Sequence, residues 1–147
     1  IDFLCKFNKL KEDIVMVQII AGEKGKGKTK YLLDKANAAI KESTGSIVYL
    51  DKSSKHMYEL NNKIRLINVK EYPITSCEAF IGFICGIISQ DYDLEMMLAS
   101  LEGEDISEVI TTLENIGEKY HVTFVLSVSI NKEDMPENAQ KDVIIAL

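Results

Sequence analysis

Residues 22–29 read Gly-Glu-Lys-Gly-Lys-Gly-Lys-Thr, a glycine-rich stretch that closes on Gly-Lys-Thr. An apolar, β-branched segment, Ile14 to Ala21, precedes it and is typical of a buried strand. After it, Lys28 to Glu42 has its apolar residues at the spacing of one helix face. A strand, a glycine loop and a helix in this order predict the first β-α unit of an α/β fold.

The spacing of Gly, four residues and Gly-Lys-Thr is that of the Walker A motif, or P-loop. Its glycines accept backbone angles closed to other residues, so the main-chain amides can face a ligand. The helix N-terminus adds partial positive charge, and such a loop therefore predicts phosphate binding. The expected nucleotide-binding residues are Gly22, Glu23, Lys24, Gly25, Lys26, Gly27, Lys28, Thr29 and Lys30.

Two residues of this stretch have separate expected roles. Lys28 should reach the β and γ phosphates and neutralise the charge that develops there. The Thr29 hydroxyl should be a ligand of Mg²⁺, an ion that keeps several waters and needs few protein ligands. The expected cofactors are therefore ATP and Mg²⁺.

The rest of the chain alternates predicted strands and helices. Strands are predicted at 46–50, 63–69, 94–99 and 121–130, and 143–147 favours a last short strand over a helix end. The fold class is therefore α/β, with a mostly parallel five-stranded sheet and helices on both faces. Residues 14–147 form one nucleotide-binding domain, and residues 1–13 are an N-terminal appendage without an assigned function. In such sheets ligands bind beyond the carboxyl ends of the strands, where Asp51, Ser100 and 127–129 are also predicted to lie.

Two expectations concern glycines. Gly45 follows the first helix and suits a left-handed cap. A capping box at 75–78 predicts a helix to Gln90 that is apolar almost all round and hence buried against the sheet. Gly82 and Gly86 would allow close packing there, and a homo-oligomer interface is the alternative.

Composition excludes several classes of protein. The net charge of −6 argues against a general nucleic-acid binder. Acidic residues concentrate from Asp91 onward, which favours a solvated face over a docking surface for a basic partner. The three cysteines have neither disulfide nor zinc spacing, which favours a reducing cytoplasm. The longest apolar run, 79–88, is too short to span a membrane, and His56 and His121 receive no role.

The chain resembles the P-loop nucleoside triphosphatases and, more narrowly, small uncharacterised bacterial ATP-binding proteins labelled twitching-motility (PilT)-like. The resemblance rests on Val17 to Thr29, Tyr49 to Lys52 and Phe124 to Ser129, of which only the first is specific. It implies the three-layer P-loop fold and a nucleoside triphosphate ligand. The motility label implies little, because secretion and pilus motors are larger, hexameric and carry further motifs that this sequence lacks.

Hydrolysis needs a second carboxylate, normally an Asp that closes an apolar strand, and a group that orients water. Ala99 and Ser100 stand at the expected place. Three carboxylates follow and one would substitute if the strand runs longer: Glu102, Glu104 and Asp105. Asp51 is the other candidate for the catalytic carboxylate, as in RecA-like relatives, and the alternative is a strand-end turn residue.

Ser127 and Ser129 gather hydroxyls at the end of the fifth predicted strand. They either contact the γ-phosphate as sensors or satisfy backbone groups.

The favoured hypothesis is an Mg²⁺-dependent ATP-binding protein with slow hydrolysis, acting as a switch or small motor component. The alternative is a regulatory module that binds nucleotide without hydrolysing it, which the missing strand-end aspartate supports. A small-molecule kinase is weaker, because Arg65 is the only arginine for a lid. GTP specificity is disfavoured, although Asn131 to Asp134 lies where an Asn-Lys-x-Asp base-recognition motif would, since matches this short arise by chance. A protein partner is not readable.

Overall fold

The computed structural model describes residues 15–101 and 106–147. Its six strands form one sheet in which every pairing is parallel, in the order β3-β2-β4-β5-β1-β6. The strands are β1 Val17–Ala21, β2 Ser46–Asp51, β3 Arg65–Asn68, β4 Leu94–Leu101, β5 Thr123–Val128 and β6 Val143–Ala146. The helices are α1 Lys28–Glu42, α2 Cys77–Gln90, α3 Ile106–Tyr120 and the short α4 Glu137–Gln140. Two 3₁₀ turns are Val69–Glu71 and Lys132–Asp134.

The α/β class and the parallel sheet are confirmed, but the predicted number of five strands is wrong. The sixth strand, β6, is the short segment for which the sequence favoured a strand. It pairs with β1 through Ile19 opposite Val143 and Ile20 opposite Ile145, after a register shift. The predicted appendage at 1–13 lies outside the described residues, as do Glu102, Glu104 and Asp105.

Alternate strand residues enter two separate hydrophobic clusters, as the two-residue period of a strand requires. One cluster joins Ile20, Tyr49 and Val125 to Leu32 and Ala36 of α1. The other joins the intervening strand residues, among them Ile19, Val48 and Phe124, to buried side chains of α2 and α3. The sheet therefore lies between α1 on one side and α2 and α3 on the other.

Helix α2 is less buried than its sequence predicts. Ser76 caps it by accepting a hydrogen bond from the Ala79 amide at 3.0 Å, so the cap lies one residue after Thr75, the N-cap of the predicted capping box. Of its 14 residues only Ile84 and Ile88 are buried. Gly82 and Gly86 are exposed, and a Cβ added at either would meet no atom within 4 Å. The predicted close packing at these glycines is therefore wrong, because α2 turns only one edge to the sheet.

The prediction for Gly45 is also wrong. The C-cap of helix α1 is Ser43, whose backbone is extended, and Gly45 has no left-handed φ. A Cβ at Gly45 would instead lie 2.0 Å from the carbonyl oxygen of Asp93. Glycine is required there by the close approach of the chain that leads into β4.

Because all strands are parallel, the loops that follow them emerge at one edge of the sheet. The register sets Ala21 and Leu101 beside the same residue of β5, Val128, and sets Leu50 beside Ala99. The ends of β1, β2, β4 and β5 therefore lie together. Across the described ranges, no helix is both long and apolar enough to cross a bilayer.

Candidate functional site

A cavity of about 630 Å³ opens at the carboxyl edge of the sheet. Five segments of the chain contribute to it: the P-loop, the ends of β2, β4 and β5, and the turn after β3. The lining residues are Lys24, Gly25, Gly27, Lys28, Thr29, Asp51, Lys52, Ser53, Lys55, His56, Lys70, Ser100, Ser127 and Ser129. The structure thus brings together the P-loop, Asp51 and the strand-end serines, which are far apart in sequence.

Four of the residues predicted to bind nucleotide stand apart from this lining: Gly22, Glu23, Lys26 and Lys30. Lys30 lies instead in a neighbouring groove beside α1, with Asp34 and Asn37. The Gly22 amide faces the carbonyl oxygens of Val128 and Ile130, at 3.3 and 3.1 Å, and so ties the base of the loop to the end of β5.

The P-loop depends on left-handed backbone at two glycines. Gly25 has φ 88° and Gly27 has φ 85°, and a Cβ at either would meet no atom within 4 Å. Conformation rather than space therefore requires glycine at both. Gly27 is the N-cap residue of α1. No side chain caps the helix, and the first turn of α1 has no acidic residue. The first amides of α1 are thus left to an anion, which the helix dipole also favours.

Lys28 is buried, with 8% of its surface exposed. Its ammonium group donates a hydrogen bond to the carbonyl oxygen of Glu23 at 3.0 Å, across the loop. The side chain is therefore held over the same loop whose amides would face the phosphates.

Asp51 closes β2 at the floor of the cavity. Its Oδ1 accepts a hydrogen bond from the Lys52 amide at 2.7 Å, a contact typical of a strand-end aspartate. Its Oδ2 is buried and has no hydrogen-bond partner in the described part of the chain. Burial, together with the negative charges of Asp51 and Glu59, raises the pKa of Tyr49. A buried carboxylate oxygen without a partner is costly, and a donor or cation at this point would relieve it.

The strand-end serines contact each other. Ser127 is buried, and its hydroxyl donates to the Ser100 hydroxyl at 2.8 Å, between neighbouring positions of β5 and β4. Ser127 therefore bonds a side chain and not the backbone group that was its alternative partner. Ser129 also faces the cavity, and the sensor role of both stays a prediction.

Strand β4 runs to Leu101, two residues beyond its predicted end at 99. A substitute for the strand-end aspartate is expected among Glu102, Glu104 and Asp105 if β4 runs longer than predicted. The strand does run longer, and these three residues lie outside the described ranges. Within the described ranges, no three His, Cys, Asp or Glu side chains form a metal-binding group. The Thr29 hydroxyl, which lines the cavity, nevertheless suits Mg²⁺, which binds oxygen and retains water.

Five residues of the lining were not predicted: Lys52, Ser53, Lys55, His56 and Lys70. They follow the ends of β2 and β3, so the rule that ligands bind beyond strand ends was the signal that would have found them. With them, the part of the lining that belongs to 15–101 and 106–147 has five lysines and one carboxylate. The chain as a whole has a net charge of −6, so this edge of the sheet concentrates positive charge.

The segment after β5 also meets the P-loop. The Asn131 side-chain amide donates a hydrogen bond to Glu23 Oε1 at 2.9 Å. This places the start of 131–134, the stretch with the residue order of a guanine-recognition motif, against the P-loop.

Comparison with known proteins does not identify a family: no protein-family model and no curated protein matches the chain.

Proposed function

We propose that this protein is an Mg²⁺-dependent ATP-binding protein of the three-layer P-loop type that hydrolyses ATP slowly. The observation that carries the proposal is the shared cavity, into which the P-loop, Asp51 and the strand-end serines all project. Its lysines suit a polyphosphate, because an ammonium group binds phosphate as a point charge.

Each residue has a role that its position supports. Lys28 would exchange the Glu23 carbonyl for phosphate oxygens and neutralise charge on the γ-phosphate. Thr29 would hold Mg²⁺, which when bound neutralises part of the polyphosphate charge. Asp51 Oδ2 would accept a hydrogen bond from the attacking water, since this oxygen has no described partner within the protein. Ser127 and Ser129 would contact the γ-phosphate, and loops ordered by that phosphate would supply the switch.

A slow rate follows from what stands at the end of β4. Ala99 and Ser100 occupy the place of the usual metal-positioning aspartate. If no carboxylate replaces it, the protein is a regulatory module that binds ATP and does not hydrolyse it. Loss of one charge-stabilising group lowers a rate by on the order of a hundredfold without abolishing binding.

GTP is the second candidate ligand. The hydrogen bond from Asn131 to Glu23 supports it, because a base-reading segment has to lie next to the loop that holds the phosphates. A base reader discriminates strongly, since a wrong base leaves its polar groups unpaired. ATP and GTP affinities measured side by side decide between the two.

The test of the site is calorimetric titration with ATP and with GTP, with and without Mg²⁺. Lys28→Ala should abolish binding of either nucleotide. Lys41→Ala makes the same change in charge at the far end of α1 and should bind as the wild type does. Phosphate release from the wild type then separates the slow ATPase from the non-hydrolysing module. If neither nucleotide binds under saturating Mg²⁺, the proposal is wrong.

A further inference from the structure

Part of the cavity lining lies outside the P-loop and is strongly basic. It consists of Lys52, Lys55 and His56 in the loop after β2, and Lys70 in the turn after β3. We call these four residues the basic wall. Nothing in the proposed binding of ATP uses them, since the P-loop already supplies Lys24, Lys28 and the first amides of α1.

Two lysines of the basic wall, Lys55 and Lys70, have no side-chain partner among the described residues. The ammonium groups of Lys55 and Lys70 make no hydrogen bond or ion pair with any residue in 15–101 or 106–147. His56 has its Nδ1 at 3.1 Å from Glu59 Oε1. Asp51 is the one carboxylate among the described residues that line the cavity. Like charges gathered in one cleft attract anions and raise their local concentration.

The loop that carries most of the basic wall is anchored to α1. The Asn37 side-chain amide donates to the Glu59 carbonyl and its oxygen accepts from the Asn61 amide, each at 2.8 Å. Leu60 and Ile64 are buried, with 7% and 6% of their surfaces exposed, in the cluster under α1. The second half of the loop, from Glu59 onward, is therefore fixed to α1, which limits the backbone freedom that the loop can lose on binding.

We infer that the basic wall is a second anion site, which holds a small phosphate-bearing ligand next to the nucleotide in the same cavity. The position of this ligand beside a nucleotide rests on the proposed function, while the anion site itself rests on the lysines. A triphosphate whose charge is partly neutralised by Mg²⁺ and Lys28 leaves Lys55 and Lys70 for another anion. A second ligand held here would lie in the same cavity as the γ-phosphate, as an effector or acceptor must.

The experiment uses inorganic phosphate as the probe on protein saturated with Mg²⁺ and a non-hydrolysable ATP analogue, followed by calorimetry. The test variant is Lys55→Gln with Lys70→Gln. The matched control, Lys41→Gln with Lys63→Gln, removes two exposed lysines outside the cavity. We expect the wild type and the control to bind phosphate. The test variant should bind it at least about tenfold more weakly, because charge-assisted hydrogen bonds are lost.

Two results would overturn the inference. Either the saturated wild type binds no phosphate, or the test variant binds phosphate as tightly as the wild type does. If the test variant in addition loses nucleotide affinity as severely as Lys28→Ala, the lysines belong to the nucleotide site itself. If the wild type binds no nucleotide, the proposed function fails, and Lys28→Ala protein is titrated with phosphate alone. Binding that persists there and disappears when Lys55 and Lys70 are also replaced supports the anion site.

Discussion

Replacing Gly27 with alanine tests the conformation of the P-loop and its function together. Gly27 has φ 85° and ψ 24°, and an added Cβ would meet no atom within 4 Å. The cost is therefore one of backbone conformation alone, about 1–2 kcal/mol for a non-glycine residue in the left-handed region. Lower entropy of the unfolded chain offsets about 0.4–1 kcal/mol of this. The expected loss is about 1 kcal/mol, or about 2–4 °C in Tm for a domain of this size.

Gly86→Ala is the matched control. Gly86 lies exposed within α2, and a Cβ there also meets nothing within 4 Å. In a helix, alanine is favoured over glycine by about 0.5–1 kcal/mol. Replacement of glycine by alanine should thus raise the free energy of unfolding at Gly86 and lower it at Gly27, in both urea and thermal unfolding.

Nucleotide binding supplies the second readout for Gly27→Ala. A methyl group on the loop would stand between the main-chain amides and the phosphates, so ATP affinity should fall by on the order of tenfold or more, as expected for losing a charge-assisted hydrogen bond. Gly86→Ala should leave affinity unchanged. Equal effects of the two changes on stability would refute the assigned backbone conformation, and unchanged ATP affinity in Gly27→Ala would refute the assigned site.

Three further changes have outcomes set by the structure. Gly45→Ala drives a Cβ to 2.0 Å from the Asp93 carbonyl, so it should destabilise by about 2–3 kcal/mol in urea unfolding, the upper part of the range for overpacking; a loss as small as that of Gly27→Ala would contradict the close approach. Asp51→Asn should lower phosphate release by on the order of a hundredfold with ATP affinity retained, and an unchanged rate would remove Asp51 from the mechanism. Burial, and a hydrogen bond that protonated Asp142 donates to the Glu114 carboxylate, raise the pKa of Asp142 from 3.8 to about 6. The folded state then holds this proton more tightly than the unfolded chain, so the contribution of Asp142 to the free energy of unfolding falls as pH rises from 3.8 to about 6. Asp142→Asn should remove that decline, and parallel pH profiles of wild type and variant would contradict it.

The local signals of the sequence predicted most of the fold. The P-loop, its strand and its helix are adjacent in the chain, so spacing and periodicity suffice to find them. The capping box predicted at 75–78 likewise gives the start of α2 to within one residue, because a capping contact is made within four residues. Strand β6 is four residues long; the sequence favoured a strand there, but the predicted sheet of five strands did not include it.

What depends on tertiary contacts was predicted less well. The apolar composition of α2 predicts burial. How much of the helix surface is actually buried depends on where the helix packs on the sheet. Gly45 is required by the chain at Asp93, 48 positions away in sequence, which no local pattern reveals. Lys55 and Lys70 look like ordinary surface lysines until the pairing of β2 with β3 brings the segments that follow them to one edge.

The hydrogen bond between Lys28 and the Glu23 carbonyl changes how the loop should respond to a polyphosphate. Because the ammonium group already has an oxygen as its partner, capture of a ligand is a swap of acceptors. The enthalpy gained through Lys28 is then the difference between its bond to a neutral carbonyl and its stronger bond to a charged phosphate oxygen. An analogue that offers Lys28 no oxygen would leave the bond to the Glu23 carbonyl intact. It should therefore lose less affinity than it would if the ammonium group had no other acceptor.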